Sequence, residues 1–186
     1  PYKRKARQDG RGHIKDAVSI ELRPKEVEQR LDIGNWEIDT VLGKPGTGGL
    51  VTVVDRKTRL LLAAKIEDKT ASAVQTALIR LLEGMECRTL TTDNGKEFAR
   101  HKEVSAALGV PVYFAHPHSP WERGTNENTN GLIREYLPKG IDFREVRNGD
   151  VLRITERLNN RPRKCLGFRT PNEAFFNLPV AFGLTI

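Results

Sequence analysis

The sequence predicts a mixed α/β domain: a five-stranded sheet, three strands antiparallel and two parallel, with helices on both faces. Three observations lead there. The β-rich runs at residues 36–42, 50–55 and 60–66 are separated by Gly46-Thr47-Gly48-Gly49 and Arg56-Lys57-Thr58-Arg59, connections so short that the three strands must form an antiparallel meander. Strand and helix patterns then alternate through residues 70–115, as they do where crossover helices join parallel strands. The chain has 186 residues, 38% hydrophobic and 30% charged, which is the size and balance of one domain with a substantial core.

The elements follow in order. Residues 1–16 carry Lys3, Arg4, Lys5, Arg7, Arg11 and Lys15 with almost nothing apolar, and read as a basic arm or linker. Val18-Ser19-Ile20-Glu21-Leu22 alternates briefly, a candidate for a further edge strand, and residues 24–30 fit a short helix. After the meander, Ala73, Val74, Ala77, Leu78, Leu81 and Leu82 fall at helical spacing, with Thr70 as N-cap and a stop near Gly84. Residues 89–92 form the fourth strand, 103–108 a helix stopped by Gly109, and 110–115 the fifth strand. Ser119-Pro120-Trp121-Glu122 has the order of a capping box, although Gly124 could delay the helix to Thr125 or Asn126; Pro138-Lys139-Gly140 ends it. Residues 151–160 are helical by Val151, Ile154 and Leu158, and Thr170-Pro171-Asn172-Glu173 opens a last helix. The expected division is a core over 17–140 and a helical extension over 141–186.

Composition narrows the functional classes. A net charge of +7 favours a polyanionic partner. No run approaches the length of a membrane span, and the basic N-terminus has no apolar segment behind it, so a cytoplasmic protein without membrane contact is expected. Cys87 and Cys165 stand in no metal-binding pattern and read as reduced thiols, at least one of them buried. A chain that begins at Pro1 reads as part of a longer one whose N-terminal module is missing.

The chemistry points to three carboxylates. Asp39 lies inside the first β-run, where a charge is unexpected if the strand is central and an unpartnered one would cost several kcal/mol. Asp93 closes the fourth strand, adjacent to the first, and Asn94-Gly95 turns the chain away; ligand sites in open sheets gather at such strand ends. For Glu127, at about 100° per residue, Arg134 lies about 20° away, Arg123 about 40° and Asn130 about 60°, whereas Glu122 lies about 140° away. Converging carboxylates repel unless a cation neutralises them. Oxygen ligands suit Mg²⁺ or Mn²⁺, and two such ions roughly 4 Å apart can clamp the attacking and leaving oxygens of a phosphoryl transfer. With a basic chain, the substrate expected is a phosphodiester.

A family resemblance rests on four stretches: Trp36-Glu37-x-Asp39-Thr40; Thr92-Asp93-Asn94-Gly95-x-Glu97-Phe98; Ser119-Pro120-Trp121-x-Arg123-Gly124-Thr125-Asn126-Glu127-Asn128-x-Asn130-Gly131-Leu132; and Leu158-Asn159-Asn160-Arg161-Pro162-Arg163-Lys164. Over about residues 20–177 the chain resembles the DDE transposases of the bacterial insertion-sequence family numbered thirty, within the integrase catalytic cores of ribonuclease H-like fold. The resemblance implies that Asp39, Asp93 and Glu127 are the catalytic and metal-ligating triad, with thirty-three residues between the last two. It implies cleavage at the ends of a mobile element to free a 3′-OH, then attack of that 3′-OH on target DNA. It also implies DNA contact at Arg123 and Arg134 and a homo-oligomer assembled on DNA. Two positions depart from the family pattern, Ile38 where glycine is usual and Pro120 where many members have tyrosine.

Other residues invite weaker readings. Asn126, Asn128 and Asn130 are poor helix formers beside Glu127, which favours bonding to DNA or metal-bound water over local capping. Arg161, Arg163 and Lys164 suit phosphates or simply a solvated loop. Glu97 is read as a supporting group, Asp55 as a turn carboxylate in ion pairs, and His116 and His118 as loop structure or DNA contacts. Trp121 is read as pinned to the domain in preference to stacking on a base. Two other functions fit the same fold: a catalytically silent DNA-binding or dimerisation module, and a ribonuclease H-type nuclease, which would need a fourth carboxylate.

Overall fold

The computed structural model describes residues 14–117 and 119–179, with Pro120 described in its backbone alone. Most of the basic arm and all of His118 lie outside the described residues. Among the described residues six strands form one sheet: β1 (Val18–Ser19), β2 (Asn35–Leu42), β3 (Gly49–Asp55), β4 (Leu61–Ile66), β5 (Thr89–Thr92) and β6 (Val112–Phe114). Their spatial order is β1-β6-β5-β2-β3-β4, so the first long strand is central. The β2–β3 and β3–β4 pairs are antiparallel, and β2–β5, β5–β6 and β6–β1 are parallel.

The five-stranded expectation is corrected by one strand. Val18 and Ser19 pair with Tyr113 and Phe114, after which the Ser19 hydroxyl accepts the Glu21 N–H at 3.2 Å and turns the chain into a 3-10 segment. The candidate edge strand at 18–22 is thus the sixth strand, held to Val18 and Ser19 by that turn.

Among the described residues six α-helices complete the fold: α1 (Glu26–Gln29), α2 (Ala71–Leu82), α3 (His101–Leu108), α4 (Gly124–Arg134), α5 (Asn148–Asn159) and α6 (Pro171–Phe175). Thr70 caps α2, accepting the Ala73 N–H at 3.2 Å, and Thr170 with Glu173 forms the expected capping box on α6. The box expected at Ser119 does not form. Residues Pro120–Arg123 make a 3-10 turn with no side-chain cap from Ser119, and Glu122 instead takes the His116 N–H at 2.8 Å.

Strand alternation divides the core between two faces. Trp36, Ile38, Val51, Val53 and Leu90 pack with α2, α3 and Phe175; Val41, Leu50, Val54 and Leu61 pack with Ile133, Phe143, Val151 and Leu158. The segment beyond residue 140 thus supplies much of the second cluster. It also closes the β4 edge, where the Asn159 amide accepts the Leu61 N–H at 2.9 Å and donates to the Leu61 carbonyl at 2.8 Å.

Candidate active site

Glu37, Asp39 and Val41 share the β2 face that α4 covers. The parallel register that pairs Glu37 with Thr91, continued past the end of β5, sets Asp93 beside Asp39. Arg123 joins the two: its Nη1 is 3.3 Å from Asp39 Oδ2 and its Nη2 is 3.3 Å from Asp93 Oδ2. Burial pushes the Asp39 carboxyl above its ordinary value, and the Arg123 guanidinium opposes that rise.

Each aspartate is also held by its neighbours. Asp39 accepts the Thr40 N–H at 2.8 Å through Oδ1 and the Asn130 amide at 3.0 Å through Oδ2. Asp93 accepts the Gly95 N–H at 2.9 Å, while the Asn94 amide donates to the Ala115 carbonyl at 2.6 Å and anchors the turn to β6. Glu97 folds beneath this turn, accepting from Thr40 at 3.2 Å and pairing with Lys69 at 2.7 Å. A Cβ on Gly95 would lie 2.4 Å from the Glu97 carboxylate, so any larger residue there would have to displace that side chain.

α4 turns a mostly polar stripe inward. Asn126, Thr129 and Ile133 are buried and Asn130 half-buried, the i, i+3, i+4, i+7 pattern of a packed face. Asn126, at 0% exposure, donates its backbone N–H to Glu37 at 2.8 Å and its amide to the Glu37 carbonyl at 3.0 Å, and accepts from Thr52 at 3.2 Å. The DNA contact expected at Asn126 is therefore corrected: its polar groups are spent inside the protein. Asn130 accepts from Thr52 at 3.0 Å as well as donating to Asp39, so it ties that aspartate to α4. Glu127 lies three residues before Asn130 on the same helix and is exposed, with no hydrogen bond or ion pair among the described residues. Asp39 and Asp93 converge and Glu127 stands apart, and among the described residues no three His, Cys, Asp or Glu side chains form a metal cage.

The remaining candidates separate by environment. Arg134 donates to the carbonyls of Leu42 at 2.7 Å, Leu137 at 3.3 Å and Pro138 at 3.4 Å, a brace between the ends of α4 and β2. Arg163 is half-buried on the Leu158 carbonyl at 3.0 Å; Arg161 is exposed and 3.5 Å from Glu135, and Lys164 is exposed. Trp121, expected to be pinned, is 72% exposed, because the 3-10 turn swings it off the domain. His116 pairs with Glu122 at 2.8 Å and Glu21 at 3.3 Å. Asp55 is a turn carboxylate, but its partners are the N–H groups of Gly34 and Thr58 and the Thr58 hydroxyl, not the neighbouring arginines. Cys87 is half-buried, with burial pushing its thiol up to about 12, and Cys165 is exposed; both are free.

Two features escaped the sequence reading. Glu37 is fully buried two residues before Asp39, and Arg56 is buried against it at 2.7 Å. The parity of Glu37 with Asp39 in one strand was the available signal.

A mixed sheet with helices on both faces, an aspartate within the central strand, a second just past the end of the adjacent parallel strand and a glutamate on the helix across them give a ribonuclease H-like fold. Residues 32–120 match the integrase core domain family. It is 46% identical over 175 residues to the transposase for insertion sequence element IS4351 of Bacteroides fragilis, covering 93% of this chain and 54% of that protein. It is 39% identical over 176 residues to the transposase InsI for insertion sequence element IS30A of Escherichia coli (strain K12), covering 92% of this chain and 46% of that protein. The chain thus spans about half the length of the curated relatives it matches. The crystal structure of the catalytic core domain of BIV integrase shares the fold, with a TM-score of 0.62 at 21% identity over 77% of this chain and 94% of that one. No helix among the described residues is long and apolar enough to cross a membrane.

Proposed function

We propose that this chain is the catalytic domain of a DDE-type transposase, which cuts DNA at the ends of an insertion sequence and joins the freed 3′-OH to target DNA. The observation that carries the reading is the convergence of Asp39 and Asp93, from separate strands, on a single cationic group beside the helix that bears Glu127. That the two carboxylates already share the Arg123 guanidinium supports their fitness for a cation, and a set of oxygen donors suits a hard divalent ion. Asp39, Asp93 and Glu127 would hold Mg²⁺ or Mn²⁺. Bound there, the metal would supply charge neutralisation at phosphorus and an activated water or 3′-OH oxygen.

The chain's own groups have definable tasks. Asn130 and the Thr40 N–H fix the Asp39 oxygens, and the Gly95 N–H fixes Asp93. Arg123, once its carboxylates are otherwise neutralised, is free to reach a DNA phosphate; Arg161 and Lys164 are exposed for the same purpose, and the net charge of +7 favours the encounter. Arg134 and Arg163, engaged with backbone carbonyls, act on DNA indirectly by holding the surface in shape. The same reading takes 17–140 as the catalytic core and 141–186 as its helical extension, places the protein in the cytoplasm with the nucleoid, and has it assemble as a homo-oligomer on DNA.

Against the ribonuclease H alternative stands Glu97, whose carboxylate is paired with Lys69 and Thr40 and supplies no fourth ligand. An oligonucleotide strand-transfer assay with Mn²⁺, using the full-length protein if the domain alone is inactive, tests the proposal. Joined product from wild type and none from Asp93→Asn is expected. Equal rates from the two, or cleavage of RNA–DNA hybrids in preference, would overturn it.

A further inference from the structure

Behind the two aspartates lies a buried ionic pair that the chemistry above does not use. The Glu37 carboxylate accepts from Arg56 at 2.7 Å on one oxygen and from the backbone N–H of Asn126 at 2.8 Å on the other. Arg56 continues the pair outward to Glu28 at 3.0 Å and donates to the Glu122 carbonyl at 3.4 Å. Glu28 in turn pairs with Arg23, which donates to the Thr91 hydroxyl on β5 at 2.8 Å. Arg59, from the same turn as Arg56, reaches the Thr125 hydroxyl at 3.0 Å.

These bonds meet one short segment. Glu122 and Asn126 bracket the point where the 3-10 turn becomes α4. The N-cap of α4 is Arg123, which makes no side-chain capping bond. In an ordinary helix the N-cap side chain would accept the N–H of the second or third helical residue. Asn126 is that third residue, and its N–H goes to a carboxylate on the neighbouring strand, where a negative charge also suits the helix dipole. Stability alone does not call for such a pair, because an apolar pair of similar volume is often as stable as a buried ion pair.

We infer that Glu37 and Arg56 are a positioning pair: they cap α4 from the sheet and so hold Glu127 and Arg123 in register with Asp39 and Asp93. The inference rests on the proposed catalytic reading of those four residues. Glu37 touches no reacting atom. It acts through the helix that follows Asn126, and it keeps its place because β2 delivers both Glu37 and Asp39 to the same face.

The test compares two double variants of the chain. Glu37→Leu/Arg56→Met removes the cap and leaves no unpaired charge; Glu37→Gln/Arg56→Met removes the ion pair but keeps an oxygen for the Asn126 N–H. Hydrogen exchange at residues 124–130, Mn²⁺ affinity by calorimetry and the kcat and KM of strand transfer are read for both. The first variant is expected to keep a cooperative thermal transition, lose exchange protection in α4, bind Mn²⁺ about tenfold more weakly and lose kcat in preference to KM; the second is expected to recover most of each. If Glu37→Leu/Arg56→Met does not fold, Glu37→Asp, one methylene too short for Asn126 while still facing Arg56, gives the same readings. Wild-type exchange and wild-type Mn²⁺ affinity in the uncapped variant overturn the inference. Wild-type protein that binds no Mn²⁺ overturns the catalytic reading instead, and α4 exchange in the variants still decides the capping.

Discussion

Arg123 is the charge that lets Asp39 and Asp93 stand side by side. Because its guanidinium competes for the same oxygens as a divalent ion, Arg123→Ala is expected to bind Mn²⁺ about tenfold more tightly by calorimetry, with weaker DNA binding as the counterpart. Unchanged Mn²⁺ affinity would show that the arginine exerts no hold on the site. His116 provides a second residue-level test. Its hydrogen bond to Glu122 holds it above the ordinary histidine value of 6.5, with help from Glu21. A raised folded-state value means that the stabilisation is complete below the unfolded value and fades as pH rises through the folded one. The His116 ring should therefore titrate above 6.5 by NMR, and protection factors in the 120–123 turn should fall over that interval. Both effects should vanish for the turn in His116→Gln; a midpoint at or below 6.5 would contradict them.

At the scale of the element, α4 departs from the usual amphipathic helix because most of its inward stripe is polar. Asn126 and Asn130 meet Glu37, Thr52 and Asp39, while Ile133 and Leu132 pack with the apolar cluster. Asn126→Ala would leave the Glu37 carbonyl and one Thr52 bond unmade in a dry interior, at a cost of roughly 3 kcal/mol in urea unfolding. A loss below about 0.5 kcal/mol would mean that water replaces the amide. This polar stripe also explains why the sequence misassigned Asn126. Hydrophobic periodicity cannot reveal an inward face made of asparagine and threonine, whereas α2, with Val74, Ala77, Leu78 and Leu82 buried, was legible from residue types alone. The α-helix begins at Gly124, near the later of the two starts the sequence left open and not at the box around Ser119. Ser119, Pro120 and Glu122 have the order of a capping box, yet His116, brought close by the turn after β6, captures the glutamate.

For the whole molecule, the question is how far residues 141–179 belong to the core. Phe143, Val146, Val151 and Leu158 complete the cluster over Val41, Leu50, Val54 and Leu61. Each such side chain contributes about 1.5–3 kcal/mol on burial, so losing several would consume the 5–15 kcal/mol or so that holds a typical domain together. Truncation after Gly140 is expected to abolish the cooperative thermal transition and expose dye-binding apolar surface; a sharp transition in the truncated chain would mark the extension as dispensable. The sequence by itself determined the meander, the crossover helices and the placing of Asp39 within a strand, Asp93 at a strand end and Glu127 on a helix. Those follow from local periodicity, turn chemistry and spacing, all of which act between near neighbours. Only the tertiary structure decided that Arg123 bridges the aspartates, that Asn126 is internal and that Glu37 caps α4. Each of those is a choice of partner across the sheet, and a polar side chain carries no sign in the sequence of which distant group will satisfy it.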